Sequence, residues 1–457
     1  MDTSQRSSVK TLLIAIGGLV VLLVLGAVLW WVISGRSGAD SNASSTSGTV
    51  VKGTPYSEPS GRNASEELPN IPELPSSNAE TLPLFVQLTH DPVAGIGIEE
   101  TSGALRFVER ARGYIYDLRG LDKESVRRIT NTTVLGVQEA YFGNGGATVI
   151  LRSLDDTTGR DVIKTYLGRI YPGESAGSDG KIEGKFLADD ILEANISADG
   201  TKAVFVVSTP EGSSIQITDI ADGNLKEILR SPLREWIPFL ANTGDVLLST
   251  KATYDAAGAL YRINVKKGTY GRVVGGKIAM TTLPSPDGHR ALFSDNEAGE
   301  QHFALAGIPI AYEGGLGGTA GDTIALGIHS IAQKCTWDKK GIYAYCAAFS
   351  GTQGRMPDDW YQGVISLSDT FWRIDSRNGD VVLLGDPYPE IGRRFDAVNL
   401  LVSPDGSTLY FINKPDGTLW GMRIKEPDGD KETTTESTTP LTPEELRDIK
   451  GSNLPTP

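Results

Sequence analysis

The chain has 457 residues, of which 39% are hydrophobic and 22% are charged, and its formal net charge is −14. This length exceeds the ~250–300 residues at which one hydrophobic core stops growing, so several modules or a repeat array are expected. The acidic balance argues against a nucleic-acid partner, which requires a basic surface. With only 2 cysteines, the chain is neither a disulfide-rich scaffold nor the carrier of a four-cysteine zinc site.

An uncharged apolar segment opens the chain at residues 12–33. As a helix it would extend ~33 Å at ~1.5 Å per residue, enough to cross a bilayer core of ~30 Å. Trp30 and Trp31 stand near its end, where aromatic rings favour the membrane interface. A cleaved signal peptide would have a shorter apolar core of ~7–15 residues. We therefore predict an uncleaved transmembrane helix at residues 11–34.

The charges around this segment predict its orientation. Arg6 and Lys10 precede it, whereas Arg36 alone follows closely and Asp40 comes soon after. Under the positive-inside rule, residues 1–10 lie in the cytoplasm. We therefore predict a single-pass protein of the cell membrane, with the rest of the chain on the extracytoplasmic side.

Two polar segments flank a central folded region at residues 83–426. Residues 35–82 are rich in serine, glycine and proline, which predicts a flexible linker. Residues 427–457 form an acidic tail rich in threonine and proline. Within the tail, Thr442-Pro-Glu-Glu suits a helix start, because threonine can cap and proline can occupy the first helical position. A short helix is predicted at residues 442–450.

One local pattern recurs through the central region: a turn that ends in glycine, followed by alternating β-branched and aromatic residues. The clearest copies are Ser197-Ala-Asp-Gly200, Ser285-Pro-Asp-Gly288 and Ser403-Pro-Asp-Gly406. Proline presets φ, aspartate bonds to its own backbone and glycine adopts positive φ, so the pattern predicts tight turns between strands. Weaker copies end at Gly103, Gly146, Gly244 and Gly341.

The spacing of these seven glycines, about 43 to 65 residues, is typical of the blades of a β-propeller. Further runs with strand composition follow the turns. Third strands are predicted at 115–117, 215–217, 260–263, around 303, 371–374 and 419–422, and fourth strands at 126–130, 225–229 and 381–384. We therefore predict an all-β, seven-bladed propeller with four-stranded blades.

The ends of the folded region predict how the ring closes. The seventh blade has three predicted strands before the acidic tail begins, and residues 84–89 resemble the fourth strands of other blades. We predict that this N-terminal strand completes the last blade, which removes an exposed sheet edge.

The Ser-Pro-Asp-Gly runs, together with Gly258-Ala-Leu-Tyr and Gly417-Thr-Leu-Trp, resemble the WD40-like (PD40) repeats of TolB-type β-propellers. The resemblance covers roughly residues 83–426 and implies the propeller architecture. This repeat occurs on binding scaffolds and on accessory domains of enzymes alike, so it implies no single activity. No motif of this chain matches the partner-contact residues of TolB.

Cys335 and Cys346 flank the turn that ends at Gly341. If Trp337 faces Ile342, the two cysteines are diagonal neighbours, which is a marginal geometry for a bridge. A two-residue shift of the register would place them directly opposite, where a disulfide fits better. A disulfide and two buried free thiols both remain open, and an oxidising compartment favours the disulfide.

Motifs for catalysis or cofactor binding are weak in this sequence. Residues 271–277 resemble a phosphate-binding loop, but Ile278 replaces the required serine or threonine and no helix pattern follows, so we predict a connection between blades. Asp295-Asn-Glu lacks the spacing of a calcium loop. The histidines show no ligand spacing; they are His90, His289, His302 and His329. No catalytic residue, metal ligand or cofactor is assigned.

The sixth blade contains an insertion at residues 350–363, between its second and third predicted strands. Such a loop shares a face with the connections between blades, where propellers commonly bind partners. Asp358, Asp359, Trp360 and Tyr361 within it are candidate partner-binding residues, because exposed aromatic rings suit a contact anchor. The alternative is that the rings fold back onto the blade or cover the central channel.

These observations favour a membrane-anchored, extracytoplasmic propeller that acts as an interaction scaffold for a protein or a cell-envelope polymer, without enzymatic activity. The flexible linker would keep the propeller at high local concentration near the membrane. The alternative is an enzyme or small-ligand-binding propeller with a site at the mouth of the central channel, and self-association is a third possibility. A deep polar funnel would favour the enzyme, whereas a closed face would favour the scaffold.

Overall fold

A computed structural model describes residues 83–157, 159–174, 180–197, 199–221, 223–297, 300–308, 322–351 and 354–424. The predicted transmembrane helix at 11–34, the linker at 35–82 and the tail at 427–457 lie outside these ranges and stay predictions. Within the described ranges, every helix is too short or too polar to traverse a bilayer.

The described strands form seven four-stranded antiparallel sheets, which we number as blades I to VII. Strand β1 (Phe85–Gln87) precedes blade I. Blades I to III contain β2 (Val93–Ile98), β3 (Leu105–Glu109), β4 (Ile115–Leu118) and β5 (Arg127–Arg128); β6 (Val137–Gly143), β7 (Thr148–Asp155), β8 (Val162–Tyr171) and β9 (Lys181–Phe186); and β10 (Ile191–Ile196), β11 (Lys202–Thr209), β12 (Gly212–Asp219) and β13 (Lys226–Ser231).

Blades IV to VII follow in the same way. They contain β14 (Trp236–Leu240), β15 (Val246–Thr250), β16 (Ala257–Asn264) and β17 (Thr269–Ile278); β18 (Thr281–Pro284), β19 (Arg290–Glu297), β20 (Glu300–Gly307) and β21 (Thr323–Ala325); β22 (Cys335–Trp337), β23 (Tyr343–Phe349), β24 (Asp369–Asp375) and β25 (Val381–Gly385); and β26 (Ala397–Val402), β27 (Thr408–Asn413) and β28 (Leu419–Arg423). The short helices are α1 (Asp358–Tyr361), α2 (Pro387–Ile391) and the 3-10 helices Lys123–Ser125 and Ala332–Lys334.

The seven predicted turns all connect the first and second strands of a blade. Their glycines have positive φ, between 66° at Gly200 and 83° at Gly244. In the turn of blade V, the Ser285 hydroxyl accepts the amide of Arg290 at 3.0 Å, and the Asp287 carboxylate accepts the amide of His289 at 3.0 Å. The serine, the aspartate and the glycine each satisfy one requirement of the turn, which explains why the motif recurs with the blades.

The N-terminal strand closes the ring, as predicted. Strand β1 pairs antiparallel with β28 and becomes the fourth strand of blade VII, with Phe85 opposite Met422 and Gln87 opposite Trp420. Backbone hydrogen bonds extend this ladder on both sides, from the amide of Arg423 to Leu84 and from the amide of Leu88 to Leu419. The all-β, seven-bladed propeller with four-stranded blades is therefore confirmed.

The direction of the strands defines two faces. Connections from strand two to three and from strand four to the next blade lie on one side, which we call the upper face. Connections from strand one to two and from three to four lie on the lower face. Apolar side chains fill the space between neighbouring blades; between blades VI and VII they include Phe85, Phe371, Phe395 and Phe411.

Two predictions about local pairing are resolved by the register. Cys335 lies directly opposite Cys346, because Trp337 pairs with Ala344 rather than with Ile342. The cysteines form a disulfide, with their Cα atoms 4.1 Å apart. The prediction that residues 271–277 connect two blades is wrong: they lie within β17, the outer strand of blade IV. The register of β16 and β17 shifts twice there, and glycines accommodate such bulges.

Candidate functional site

The first strands of the blades surround a central cavity of about 490 Å³. Its lining combines apolar side chains, such as Ile96, Phe142 and Leu400, with a few polar ones. Blades I and II approach closely here because Gly95 has no side chain: a Cβ atom at that position would lie 2.0 Å from the carbonyl oxygen of Ala140. This cavity is the central channel of the propeller.

A long connection, which we call the cap loop (residues 350–368), joins β23 to β24 on the upper face. It contains α1 and contacts the upper-face connections of other blades. The Asp358 carboxylate accepts the amide of Tyr254 in blade IV at 3.0 Å, and the Lys414 ammonium in blade VII donates to the carbonyl of Trp360 at 2.6 Å. The Gln333 amide donates to the Tyr361 hydroxyl at 2.8 Å. The cap loop therefore extends from blade VI to blades IV and VII.

Trp360 attaches the cap loop to the propeller. The residue is only 4% exposed and packs with Ile331, Phe349 and Leu367. Its indole N–H donates to both oxygens of Asp396, at 2.9 and 3.0 Å. This arrangement corresponds to the alternative in which the ring folds back onto the protein.

Below Trp360 lies a buried charged group at the junction of blades VI and VII. The Lys334 ammonium is 2.6 Å from Asp396 Oδ1, 2.8 Å from Asp369 Oδ2 and 3.0 Å from the carbonyl of Ala397. The three charged side chains are at most 1% exposed. Three acceptors thus satisfy the three N–H donors of the ammonium, which is the condition for burying such a charge at tolerable cost.

The two carboxylates differ in their surroundings. Burial raises the pKa of Asp369 to about 6, although Lys334 opposes this rise. At Asp396, burial also acts to raise the pKa, but Lys334, the Trp360 indole and the amide of Leu367 together hold it below its usual value. Asp396 is therefore the firmly ionised partner of Lys334, and it links the cap loop to the ring.

Three acidic residues lie near the upper mouth of the channel, on or next to the first strands of blades II to IV: Glu139, Glu193 and Glu235. Arg152 forms an ion pair with Glu139 and donates to the carbonyl of Leu192 at 2.6 Å. Burial raises the pKa of Glu193 to about 7, and the nearby Arg152 only partly opposes it.

The cap loop lies against these acids. Burial raises the pKa of Tyr361, and the negative charges of Asp358, Glu193 and Glu235 add to the rise. The Lys251 ammonium of blade IV is 5.9 Å from the centroid of the Tyr361 ring. A loop that starts in blade VI thus lies near acidic residues at the first strands of blades III and IV, on the upper face.

The four candidate partner-binding residues all have contacts within the protein. Trp360 is buried, and Asp358, Asp359 and Tyr361 are half-buried. The Asp359 carboxylate accepts the amide of Arg355 at 2.7 Å. Lys334, Asp369, Asp396 and Glu193 were not identified from the sequence, because no local pattern marks a residue whose partners lie in other blades.

Exposed large apolar side chains are distributed unequally between the connections of the two faces. On the upper face they are Leu135, Leu233, Val364, Tyr388 and Ile391, with exposures from 38% to 72%. In the described connections of the lower face, Val126 alone is of this kind, at 38%. The described connections of the upper face therefore expose more large apolar side chains than those of the lower face do.

No protein-family model and no curated protein sequence matches this chain. Among solved structures, the chain is similar to the tricorn protease, with 10% identity over 73% of this chain and 33% of that one and a TM-score of 0.45. It is also similar to the Cps50 (Swd1) β-propeller domain of Myceliophteria thermophila, with 10% identity over 74% of this chain and 98% of that one and a TM-score of 0.47.

A third similar structure is an oligogalacturonate lyase in complex with manganese, with 13% identity over 75% of this chain and 91% of that one and a TM-score of 0.45. This chain spans about a third of the tricorn protease chain. The assignment as a seven-bladed propeller follows from the strand order of the chain itself.

Proposed function

We propose that this protein is a non-catalytic interaction scaffold that binds a protein or a cell-envelope polymer on the upper face of its propeller. The observation that carries the proposal is the cap loop, which is attached through Trp360 to the buried pair of Asp396 and Lys334 and contacts blades IV and VII on the upper face. In this proposal the cap loop covers the channel mouth, which leaves the outer surface of the face, rather than the channel, as the place where a large partner can bind.

The chemistry near the mouth supports a scaffold rather than an enzyme. Active sites combine an open cavity with convergent polar groups that are free to act on a substrate. Here Glu139 is paired with Arg152, and Asp358 accepts the amide of Tyr254. Glu193 lies close to Tyr361 of the cap loop. These groups hold the cap loop and the inner strands in place.

The apolar side chains of the upper face supply the contact chemistry. Leu233 and Val364, on a blade connection and on the cap loop respectively, are 51% and 68% exposed. Partner binding would remove these surfaces from water, at ~25 cal/mol for each Å² buried. The half-buried Asp358 and Asp359 of the cap loop would contribute at the polar rim of such an interface.

Membrane anchoring and membership in the TolB-like repeat family are further parts of the proposal. They are supported by the uncharged segment at residues 12–33 and by the Ser-Pro-Asp-Gly turns. The prediction is that protease added to intact cells or to spheroplasts, which lack an outer barrier, digests the propeller. Complete protection until the cells are lysed would contradict an extracytoplasmic location.

The binding proposal is tested by cross-linking and mass spectrometry in native membranes. The full chain is compared with a Leu233→Asp, Val364→Asp variant of the upper face and with a matched Val126→Asp variant of the lower face. We expect the double variant to lose most partner cross-links and the control to retain them. Equal cross-linking by all three proteins would refute the assignment of the upper face.

A further inference from the structure

The hairpin of β19 and β20 in blade V brings together three side chains that the sequence separates. Asp295 and His302 lie directly opposite each other in the register, and Glu297 follows Asp295 on the same face of the strand. His302 Nδ1 is 3.2 Å from Asp295 Oδ1 and 3.8 Å from Glu297 Oε2. One donor atom from each residue lies within 4.8 Å of the other two.

These separations fit the first coordination sphere of a small metal ion. Tetrahedral ligands at ~2.0–2.1 Å from a zinc ion are about 3.3 Å apart, so the Asp295–His302 pair already has the required spacing. The Glu297 side chain is 74% exposed and can approach by a change of rotamer. One imidazole nitrogen and two carboxylates suit zinc among the divalent ions.

The surroundings hold the central ligand in position. The side chain of Asp295 is only 2% exposed, and the Lys277 ammonium of blade IV lies 2.6 Å from its Oδ2 atom. The other oxygen, Oδ1, faces His302. A lysine that fixes one oxygen while the second remains directed at the ligand cluster acts as an outer-shell partner, which in metal sites orients a ligating carboxylate.

We propose that Asp295, Glu297 and His302 form a site for a divalent transition-metal ion, with zinc the preferred ion. Three protein ligands leave a fourth position for water or for a group of a partner molecule. The sequence predicted no metal ligands, since the cluster becomes visible only when the register of β19 and β20 fixes which residues share a face. The rival interpretation is a plain ion-pair cluster without a metal.

Isothermal titration calorimetry with zinc chloride distinguishes a metal site from an ion-pair cluster without a metal. The measurement uses the untagged full chain in detergent. We expect one zinc ion per chain and weaker binding of magnesium. Glu297→Gln, at an exposed position, and His302→Gln should each weaken zinc binding by at least about tenfold. A rise in melting temperature with zinc provides a second readout of the same binding.

His289 is the matched control, because its Nδ1 atom lies 3.3 Å from Asp287 Oδ2 in the same blade. Among the described residues, that pair has no third ligand. His289→Gln should leave zinc binding unchanged. The proposal is overturned if the wild type binds no zinc, if zinc and magnesium bind alike, or if the His289 and His302 variants lose binding equally.

Discussion

Two regions at the junction of blades VI and VII stabilise this propeller by different physical interactions: the seam, where β1 closes the ring against β28, and the base of the cap loop. At the seam, β1 and β28 form a ladder, and Phe85 packs against Phe371 and Phe395 with ring centroids 5.7 and 6.1 Å apart. At the base of the cap loop, the Lys334 ammonium lies between two buried carboxylates. Burial of apolar surface stabilises the seam, whereas a buried ion pair stabilises the base of the cap loop.

The difference predicts how each region responds to change. Apolar packing is non-directional, so conservative substitutions at the seam should cost little as long as the volume is maintained. A buried ion pair does not tolerate substitution in this way, because removal of one charged partner leaves the opposite charge in a medium that cannot solvate it.

Deletion of residues 83–90 should produce the largest loss of stability. It removes β1 together with the buried side chains of Leu84, Phe85 and Leu88, and it leaves the space that they fill open to water. These side chains alone account for about 5 kcal/mol of apolar burial, and the ring loses its closure as well. Chemical denaturation of the full chain measures the change. A deletion of equal length in the predicted linker, residues 60–67, is the control, and equal stability of the two proteins would contradict closure by β1.

Substitution of Lys334 by methionine should destabilise the propeller by about 3–5 kcal/mol, because two carboxylates then lack their cation. Methionine retains the length of the side chain, so the effect reports charge rather than volume. The matched control is Lys339→Met, whose side chain is 75% exposed. If denaturant midpoints fall equally for both variants, Lys334 is not the stabilising partner proposed here.

Substitution of Glu193 by glutamine should have a smaller effect that depends on pH. The pKa of Glu193 rises from 4.5 to about 7 on folding, so the native state retains a proton that the unfolded state releases. The stability of the wild type therefore falls as pH increases from about 4.5 to 7, with Arg152, Glu139, Glu235 and Lys251 as the charged neighbours.

Glutamine does not titrate, so the gain in stability from Glu193→Gln should be below about 1 kcal/mol at pH 5 and should approach about 3 kcal/mol at pH 8. Melting temperatures of the wild type and the variant across this range measure the difference. An equal gain in stability at pH 5 and at pH 8 would contradict a raised pKa of Glu193 in the folded protein.

The sequence predicted the parts of the fold that are local. Turn residues such as those ending at Gly288 and Gly406 determine their own backbone geometry, so the number of blades and the position of their hairpins could be predicted. The closing strand could be predicted as well, because a three-stranded last blade requires a partner. The register at Cys335 could not, since a shift of two residues retains the same alternation of side chains.

The site was much less predictable. Lys334, Asp369 and Asp396 come from separate segments, and each resembles an ordinary exposed charge in its own sequence context. Their burial depends on how blades VI and VII pack, which no periodic pattern records. Trp360 could be singled out as an aromatic residue in a polar loop, but its partner Asp396 becomes evident only from the structure.

Hydrogen–deuterium exchange measures whether the cap loop is held against the propeller in solution. In the docked cap loop, the amide of Tyr361 donates to the carbonyl of Pro357 at 2.9 Å and the amide of Leu367 donates to Asp396 Oδ2 at 3.1 Å. We expect these amides to exchange as slowly as the paired amides of β24, and we expect Trp360→Phe to accelerate their exchange selectively. Fast exchange across residues 354–368 in the wild type would contradict a cap loop held over the channel.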